Sequence, residues 1–261
     1  MYSLATIHKL KGMSDVNFSS YIVKTTIRGG ESLELYSTEV SNTRKVMSIE
    51  LLKLIGHEIG LSNWPAETKQ MIWCASTLAF FGSLRMGEML YSSEKSYSPD
   101  DSLLWSDIVI TEEKHVLIRI KTPKSRNAGG ELVDIFPFKG RGVCPVKALL
   151  QLKKMQGKIP QNSPVFQFKS GKLLTTRNFV STIRSLLRCH IGESADEISG
   201  HSFRAGIPAV MAKFPDMTSR DDVIGWGRWK SNAHLLYTRL KLAQKFAIFQ
   251  KIIAALNYKF I

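Results

Sequence analysis

The sequence contains little cysteine, and it has neither a long apolar run nor a recognisable secretory signal. Its 261 residues include three cysteines, Cys74, Cys144 and Cys189. These form no CxxC pair and no zinc-finger spacing, which argues against a disulfide framework and a sequence-encoded zinc module. No apolar run approaches the roughly 18 residues that span a bilayer. We therefore expect an intracellular protein without a membrane span, located in the nucleus of a eukaryote or the cytoplasm or nucleoid of a prokaryote.

Acidic residues are also scarce relative to basic ones. The 36 lysines and arginines outnumber the 22 aspartates and glutamates, which gives a formal net charge of +14. Such a surplus favours a polyanionic partner, and without a membrane span nucleic acid is the better candidate. The sequence also lacks a P-loop and a carboxylate cluster suited to two-metal catalysis. We therefore expect neither a nucleotide cofactor nor a catalytic metal.

The periodicity of apolar residues predicts a mainly helical α+β fold with one small antiparallel β-sheet. Seven stretches have helical spacing, and they cover residues 47–60, 65–81, 84–90, 145–155, 176–188, 203–213 and 233–256. Three stretches have strand character, and they cover residues 107–111, 115–121 and 131–137. A second small hairpin is predicted from residues 164–168 and 172–175, around Gly171. The apolar fraction of 44% is ordinary for a globular core.

Four fragments contain the candidate functional residues. They are residues 82–88 with Arg85, the basic hairpin loop 121–126, residues 200–206 with His201 and Arg204, and residues 227–232 followed by Tyr237. Taken singly, each has a plainer interpretation, as surface cations or a core tyrosine. The His-x-x-Arg fragment is more informative, because residues three apart share a helical face. A helix start at Ser199 would also favour a bound anion.

The order of these fragments resembles that of the tyrosine recombinase (phage integrase) family. Residues 79–88 resemble the family's first box, with Arg85 as its arginine, and residues 201–204 resemble the second box. Residues 227–231 through Tyr237 resemble crypton-type and related eukaryotic mobile-element recombinases more than bacterial ones. The resemblance covers about residues 45–242. It implies the catalytic fold of that family, with DNA recombination, integration and transposition as the associated activities.

The resemblance implies a role for each of these residues in cleaving a phosphodiester. Arg85 and Arg204 would bind the non-bridging oxygens, because guanidiniums grip phosphate bidentately. His201 would hold the phosphate or take the proton of the Tyr237 hydroxyl. Tyr237 would attack phosphorus and form a 3′-phosphotyrosyl intermediate. Glu88, close to Arg85, is interpreted as structural, orienting an arginine.

Two further groups complete the implied site. Trp229 would supply an indole N–H donor and a rigid wall beside the phosphate. A lysine of the hairpin would protonate the leaving 5′-oxygen, with Lys124 as the first choice and Lys121 as the second. Position 228 departs from the pattern, since it is arginine where many bacterial relatives carry histidine. The resemblance implies no metal and no cofactor.

The resemblance also bears on domains and partners. Residues 1–44 are expected to be the remnant or C-terminal end of an N-terminal DNA-clamping domain with its connector, and residues 45–261 the catalytic domain with a C-terminal helix. The expected partners are double-stranded DNA and further copies of the chain, as a dimer to tetramer on DNA joined through that helix. Two alternatives stay open. One is a domesticated DNA-binding protein that has lost the chemistry, and the other is a type IB topoisomerase-like enzyme.

Overall fold

A computed structural model describes residues 45–93, 97–100, 102–112, 115–121, 130–138, 142–212, 214, 218–228 and 242–258. All of these fall within one unit, Arg44–Ile261. The predicted N-terminal remnant, 1–44, lies outside the described residues, so that division of the chain stays a prediction. Lys124, Trp229 and Tyr237 also lie outside them.

The described residues form a mainly helical α+β fold, as predicted. The helices are α1 Ile49–Leu61, α2 Ala66–Phe81, α3 Met86–Met89, α4 Pro145–Gln156, α5 Thr176–Ile191, α6 Gly200–Arg204, α7 Gly206–Ala212, α8 Arg220–Gly227 and α9 Leu242–Tyr258. Two 3₁₀ turns cover Trp105–Asp107 and Gly192–Glu197. No helix in these ranges is long and apolar enough to cross a membrane.

Helix α2 lies at the centre of the core. Its residues are buried on nearly every side from Gln70 onward, as expected of a helix that other elements surround. It contacts α1, α4, α6 and α7. Helix α7 approaches so closely that a Cβ on Gly206 would lie 2.4 Å from Cε2 of Phe80. This packing brings the segment after α2 close to the start of α6.

The small sheet has the strand order β1-β2-β3, with strands Ile108–Ile110, Val116–Ile120 and Glu131–Ile135 in antiparallel pairs. Alternate residues of β2 are buried, as period-two patterning requires. Ile120 pairs with Glu131 at the sheet end where the predicted basic loop is attached. The predicted antiparallel sheet is therefore confirmed.

The predicted secondary structure differs from the structure in three places. The single helix predicted over 203–213 is divided into α6 and α7 at Ala205. Pro208 explains the division, since its ring has no N–H to donate to the carbonyl of Arg204, four residues earlier. Helix α8 was not predicted. The second hairpin is reduced to one bridge, Gln167 to Leu173, around Gly171.

The C-terminal helix packs on its own chain. Ile248, Phe249 and Ile252 of α9 are buried, and the Phe249 ring centroid lies 5.0 Å from that of Phe136, just after β3. Phe246 also contacts the Phe136 ring but keeps 48% of its surface exposed. These contacts belong to an ordinary core, and assembly through this helix stays a prediction.

Candidate active site

The turn between α2 and α3 has an unusual backbone. Gly82 ends α2, and a Cβ there would lie 2.6 Å from Ile135 Cδ1 and 2.9 Å from the Leu78 carbonyl. Ser83 follows in the left-handed region with φ 47°, a conformation that costs a non-glycine residue about 1 kcal/mol or more. The turn aims the Ser83 carbonyl at two guanidiniums. It accepts from Arg204 Nη1 at 2.8 Å and from Arg228 Nη2 at 3.2 Å.

Glu88 is a buried carboxylate that faces three arginines. Its oxygens lie 2.6 Å from Arg85 Nη1, 2.6 Å from Arg228 Nη2 and 3.9 Å from Arg204 Nη1. It also accepts the Arg85 backbone N–H at 2.8 Å. Burial by itself would raise the pKa of Glu88. The charge and hydrogen bond of Arg228, with the hydrogen bonds from Arg85, outweigh burial and hold that pKa below its ordinary value. Glu88 is therefore ionised, in agreement with the orienting role expected for it.

Arg204 is the most buried member of the group, with 4% of its surface exposed. It ends α6, and its guanidinium donates to the carbonyls of Ser83, Gly227 and Arg228. Burial, then repulsion by Arg228 and Arg85, lowers the pKa of Arg204 to about 10, against the opposing pull of Glu88 and Glu131. The guanidinium still carries its charge at neutral pH, in an environment that a bound anion would improve.

Arg228 is a site residue that the sequence interpretation missed. It ends α8 with φ 53°, and its side chain, 9% exposed, reaches both Glu88 and Glu131 Oε2, the latter at 3.3 Å. Its Nε has no hydrogen-bond partner among the described residues. In the sequence, Arg228 departs from the family pattern, and the role beside the phosphate was predicted for Trp229 instead. The one signal available was its place directly before that tryptophan.

Arg85 and His201 are the most exposed of the predicted site residues that the structure describes. Arg85 keeps 48% of its side chain exposed while one edge of its guanidinium holds Glu88. His201 is exposed near the start of α6. The two elements touch at neighbouring residues, since a Cβ on Gly200 would lie 2.5 Å from Met86 Cγ. Arg85 and His201 are therefore carried on contacting segments, while Arg204 and Arg228 are buried.

The arginine cluster consists of Arg85, Arg204 and Arg228 with the carboxylates of Glu88 and Glu131. Three guanidiniums against two carboxylates leave one positive charge in excess. A phosphodiester carries one negative charge and offers two non-bridging oxygens to such donors. The cluster is thus matched in charge and donor type to one backbone phosphate.

Lys121, the second choice for the general acid, is bound by one carboxylate and two carbonyls outside the arginine cluster. Its Nζ lies 2.6 Å from Asp107 Oδ2, 3.0 Å from the Pro99 carbonyl and 3.3 Å from the Ser102 carbonyl. An ammonium has three donors, and these acceptors use all of them. A catalytic role for Lys121 would require it to leave a buried carboxylate.

The remaining predicted residues are flanked in the sequence by described residues. Lys124 belongs to the connection between Ile120 and Glu131, which pair with each other, and Glu131 holds Arg228. Trp229 directly follows Arg228, and Tyr237 lies between Arg228 and the start of α9 at Leu242. All three lie outside the described residues, and their positions stay predictions.

Neither a family model nor a curated protein matches this chain. Among solved structures, it is similar to the XerH site-specific recombinase bound to its difH substrate, with 12% identity and a TM-score of 0.49, over 77% of this chain and 52% of that one. It is also similar to XerA recombinase, with 15% identity and a TM-score of 0.45 over 79% and 63% of the two chains. A third similar structure is a FLP recombinase–Holliday junction complex, with 12% identity and a TM-score of 0.46 over 97% and 58%.

All three are recombinases, the class of protein that the motif order resembles. The chain spans between 52% and 63% of their lengths. With identities this low and TM-scores below 0.5, these likenesses assign no role to any residue of this chain.

Proposed function

We propose that this protein is a tyrosine recombinase, which cleaves and rejoins DNA through a 3′-phosphotyrosyl intermediate formed on Tyr237. One observation supports this proposal above the others. Arg85, Arg204 and Arg228 come from three distant segments and meet at the buried carboxylate of Glu88. Arg204 and Arg228 also share the Ser83 carbonyl, and with Glu131 included these described residues keep one positive charge in excess. Buried charges are costly to assemble, so a cluster left with a net charge points to a ligand of opposite charge.

The proposed reaction begins with the scissile phosphate on the open face of the cluster. Arg85 binds a non-bridging oxygen directly, while Arg204 and Arg228 add positive potential from behind. Their contribution grows as the phosphorus becomes pentavalent and more negative. Because Glu88 and the Ser83 carbonyl fix the guanidiniums beforehand, no reorganisation is needed during the reaction.

Proton transfers accompany the exchange of bonds. The Tyr237 oxygen forms a bond to phosphorus as the bond from phosphorus to the 5′-oxygen breaks, and His201 takes the phenolic proton. Lys124 donates a proton to the departing 5′-oxygen, which leaves as a hydroxyl. Attack by the 5′-hydroxyl of another strand reverses these steps and releases Tyr237. The phosphodiester bond energy is conserved in the covalent intermediate.

Double-stranded DNA is the proposed partner, with two or more copies of the chain acting on it. The net charge of +14 supports binding that weakens steeply as salt rises, because phosphate contacts release counterions. Exchange between two duplexes requires more than one active site, so a dimer to tetramer is proposed on chemical grounds.

Covalent trapping tests the proposal and does not require a defined target sequence. The full chain is incubated with a random-sequence duplex library that is nicked at random positions. Where a nick lies a few nucleotides 3′ of the cleaved phosphate, the short 5′-hydroxyl fragment diffuses away and the adduct is trapped. We expect a protein–DNA adduct that survives denaturation and disappears in Tyr237→Phe. Tyr97→Phe is the matched control, because Tyr97 is 41% exposed and contacts only the Asn162 carbonyl among the described residues.

The other outcomes identify the alternatives. Tight, salt-sensitive DNA binding without any adduct would favour a DNA-binding protein that has lost the chemistry. Relaxation of a supercoiled plasmid without joining to a partner strand would favour a type IB topoisomerase-like enzyme. An adduct undiminished in Tyr237→Phe would refute the assignment of the nucleophile.

A further inference from the structure

A second group of chemically reactive side chains lies between α1 and α5. Glu58 of α1 meets Cys189 and His190 of α5, and the Oε, Sγ and imidazole nitrogen atoms all lie within 4.8 Å of one another. His190 Nε2 is 2.9 Å from Glu58 Oε1. His57 Nδ1 is 3.2 Å from the same oxygen. Three possible metal donors therefore lie together, and His57 lies beside one of them.

The donor set has the composition that zinc prefers. Thiolate, imidazole and carboxylate are its three common protein ligands, and the thiolate disfavours hard cations such as Mg²⁺ and Ca²⁺. In a tetrahedral site with bonds of about 2.0–2.3 Å, neighbouring donors lie about 3.5 Å apart. The observed spacing needs only small side-chain rotations to reach that geometry.

The cysteine distinguishes this group from an ordinary histidine–carboxylate pair. A hydrogen bond between His190 and Glu58 needs no thiol, and the described contact of Cys189 Sγ is a weak one, at 3.6 Å, to the Leu186 carbonyl. Cys189 is exposed and so is accessible to an ion from solution. Cys189 and His190 also lie in the last turn of α5, which ends at Ile191. The carbonyl end of a helix favours a cation.

The Glu58 carboxylate already faces two imidazoles, since its Oε1 lies 2.9 Å from His190 Nε2 and 3.2 Å from His57 Nδ1. Metal binding would displace the Cys189 proton and leave His190 as a neutral ligand.

We propose that Glu58, Cys189 and His190 form a Zn²⁺ site that ties α1 to α5, with the fourth position taken by His57 or water. The ion is structural, because it bridges two helices that already pack together. This site shares no residue with the arginine cluster, and its existence does not depend on the proposed recombinase activity.

Metal titration of the complete, untagged chain under reducing conditions tests the site. After dialysis against EDTA, we expect one equivalent of Zn²⁺ to bind with a dissociation constant of about 1 µM or lower. Saturating Zn²⁺ should raise the melting temperature by about 5 °C. Co²⁺ in place of Zn²⁺ should give the charge-transfer absorption of a thiolate–cobalt bond.

Variants assign the ligands. Cys189→Ser and His190→Asn should each weaken Zn²⁺ binding at least about 10-fold and abolish the thermal shift, while their melting temperatures in EDTA stay near that of the wild type, because both positions are exposed. Cys144→Ser is the matched control, since it alters a thiol that accepts from Phe138 and Lys147 outside the cluster. Absence of stoichiometric binding would overturn the proposal. Binding unaffected by both ligand substitutions would also overturn it.

Discussion

Two groups of opposite charges lie near the same end of the small sheet, and they differ in how completely they are neutralised. Lys121 meets one buried carboxylate and two carbonyls, so its charge and its three donors are matched. The arginine cluster has three guanidiniums for two carboxylates, and one of its nitrogens, Arg228 Nε, has no partner among the described residues. A neutralised pair mainly maintains the fold. A cluster with excess charge and a half-exposed guanidinium, that of Arg85, is suited to a ligand.

Replacing Arg85 should produce the largest functional effect. Arg85→Ala removes an exposed guanidinium that faces the proposed phosphate, so covalent adduct formation should fall about 10³-fold. Its exposed side chain predicts little change in melting temperature. Adduct yield on a nicked substrate measures the loss. Arg188→Ala is the matched control, because Arg188 is also exposed and paired with one carboxylate. Equal yields from Arg85→Ala and the wild type would contradict the assignment.

Glu88→Gln should produce the largest loss of stability. The substitution leaves Arg204 and Arg228 without their shared buried counter-charge, which should cost about 3 kcal/mol of unfolding free energy. Urea denaturation at neutral pH measures this. Glu193→Gln provides the control, since Glu193 is exposed in the 3₁₀ turn after α5. A loss as small as that of the control would show that Glu88 does not hold the arginines together.

Variants of Lys124 and Lys121 should distinguish general-acid catalysis from structural support. Lys124→Ala should lower adduct formation about 100-fold. A 5′-phosphorothiolate substrate should restore cleavage, because its thiolate leaves without a proton. Lys121→Met should instead reduce thermal stability, because Asp107 loses its ion-pair partner. Below its melting temperature that variant should cleave within about twofold of the wild type. Rescue of Lys121→Met by the phosphorothiolate would reverse the assignment.

The pH dependence of stability should show the smallest of these effects. Because the folded-state pKa of Glu88 lies below its ordinary value of 4.5, its stabilisation is present above pH 4.5 and is lost as the pH falls through the folded-state value. The difference in unfolding free energy between the wild type and Glu88→Gln should therefore narrow below pH 4.5. Urea titrations at several acidic pH values measure it. A difference in unfolding free energy that stays constant with pH would mean that the Glu88 charge does not cause the stabilisation.

The sequence predicted the fold class because the relevant signals are local. The pattern from Pro65 to Gly82 predicted the bounds of α2, and the β-like stretch 115–121 predicted the central strand. Of the candidate site, Arg85, Glu88 and Arg204 lie together as the sequence predicted, and their catalytic roles stay predictions.

The missed features depend on contacts distant in sequence. The left-handed backbone of Ser83 is explained by its carbonyl, which accepts hydrogen bonds from two guanidiniums. Those arginines lie 121 and 145 residues away in the sequence. Arg228 became a site residue only through Glu88 and Glu131. The proposed zinc ligands form no recognisable metal-binding motif in the sequence for the same reason, because Glu58 and His190 are 132 residues apart.

The most direct measurement is the identity of the residue that becomes linked to DNA. A trapped adduct is digested with nuclease and protease, and the modified peptide is sequenced by mass spectrometry. The expected result is a phosphoryl group on the Tyr237 oxygen, bonded to the 3′-end of the cleaved strand. Attachment at any other residue, or a free 3′-hydroxyl with no protein attached, would contradict the account of three guanidiniums gathered around a phosphate for attack by that phenol.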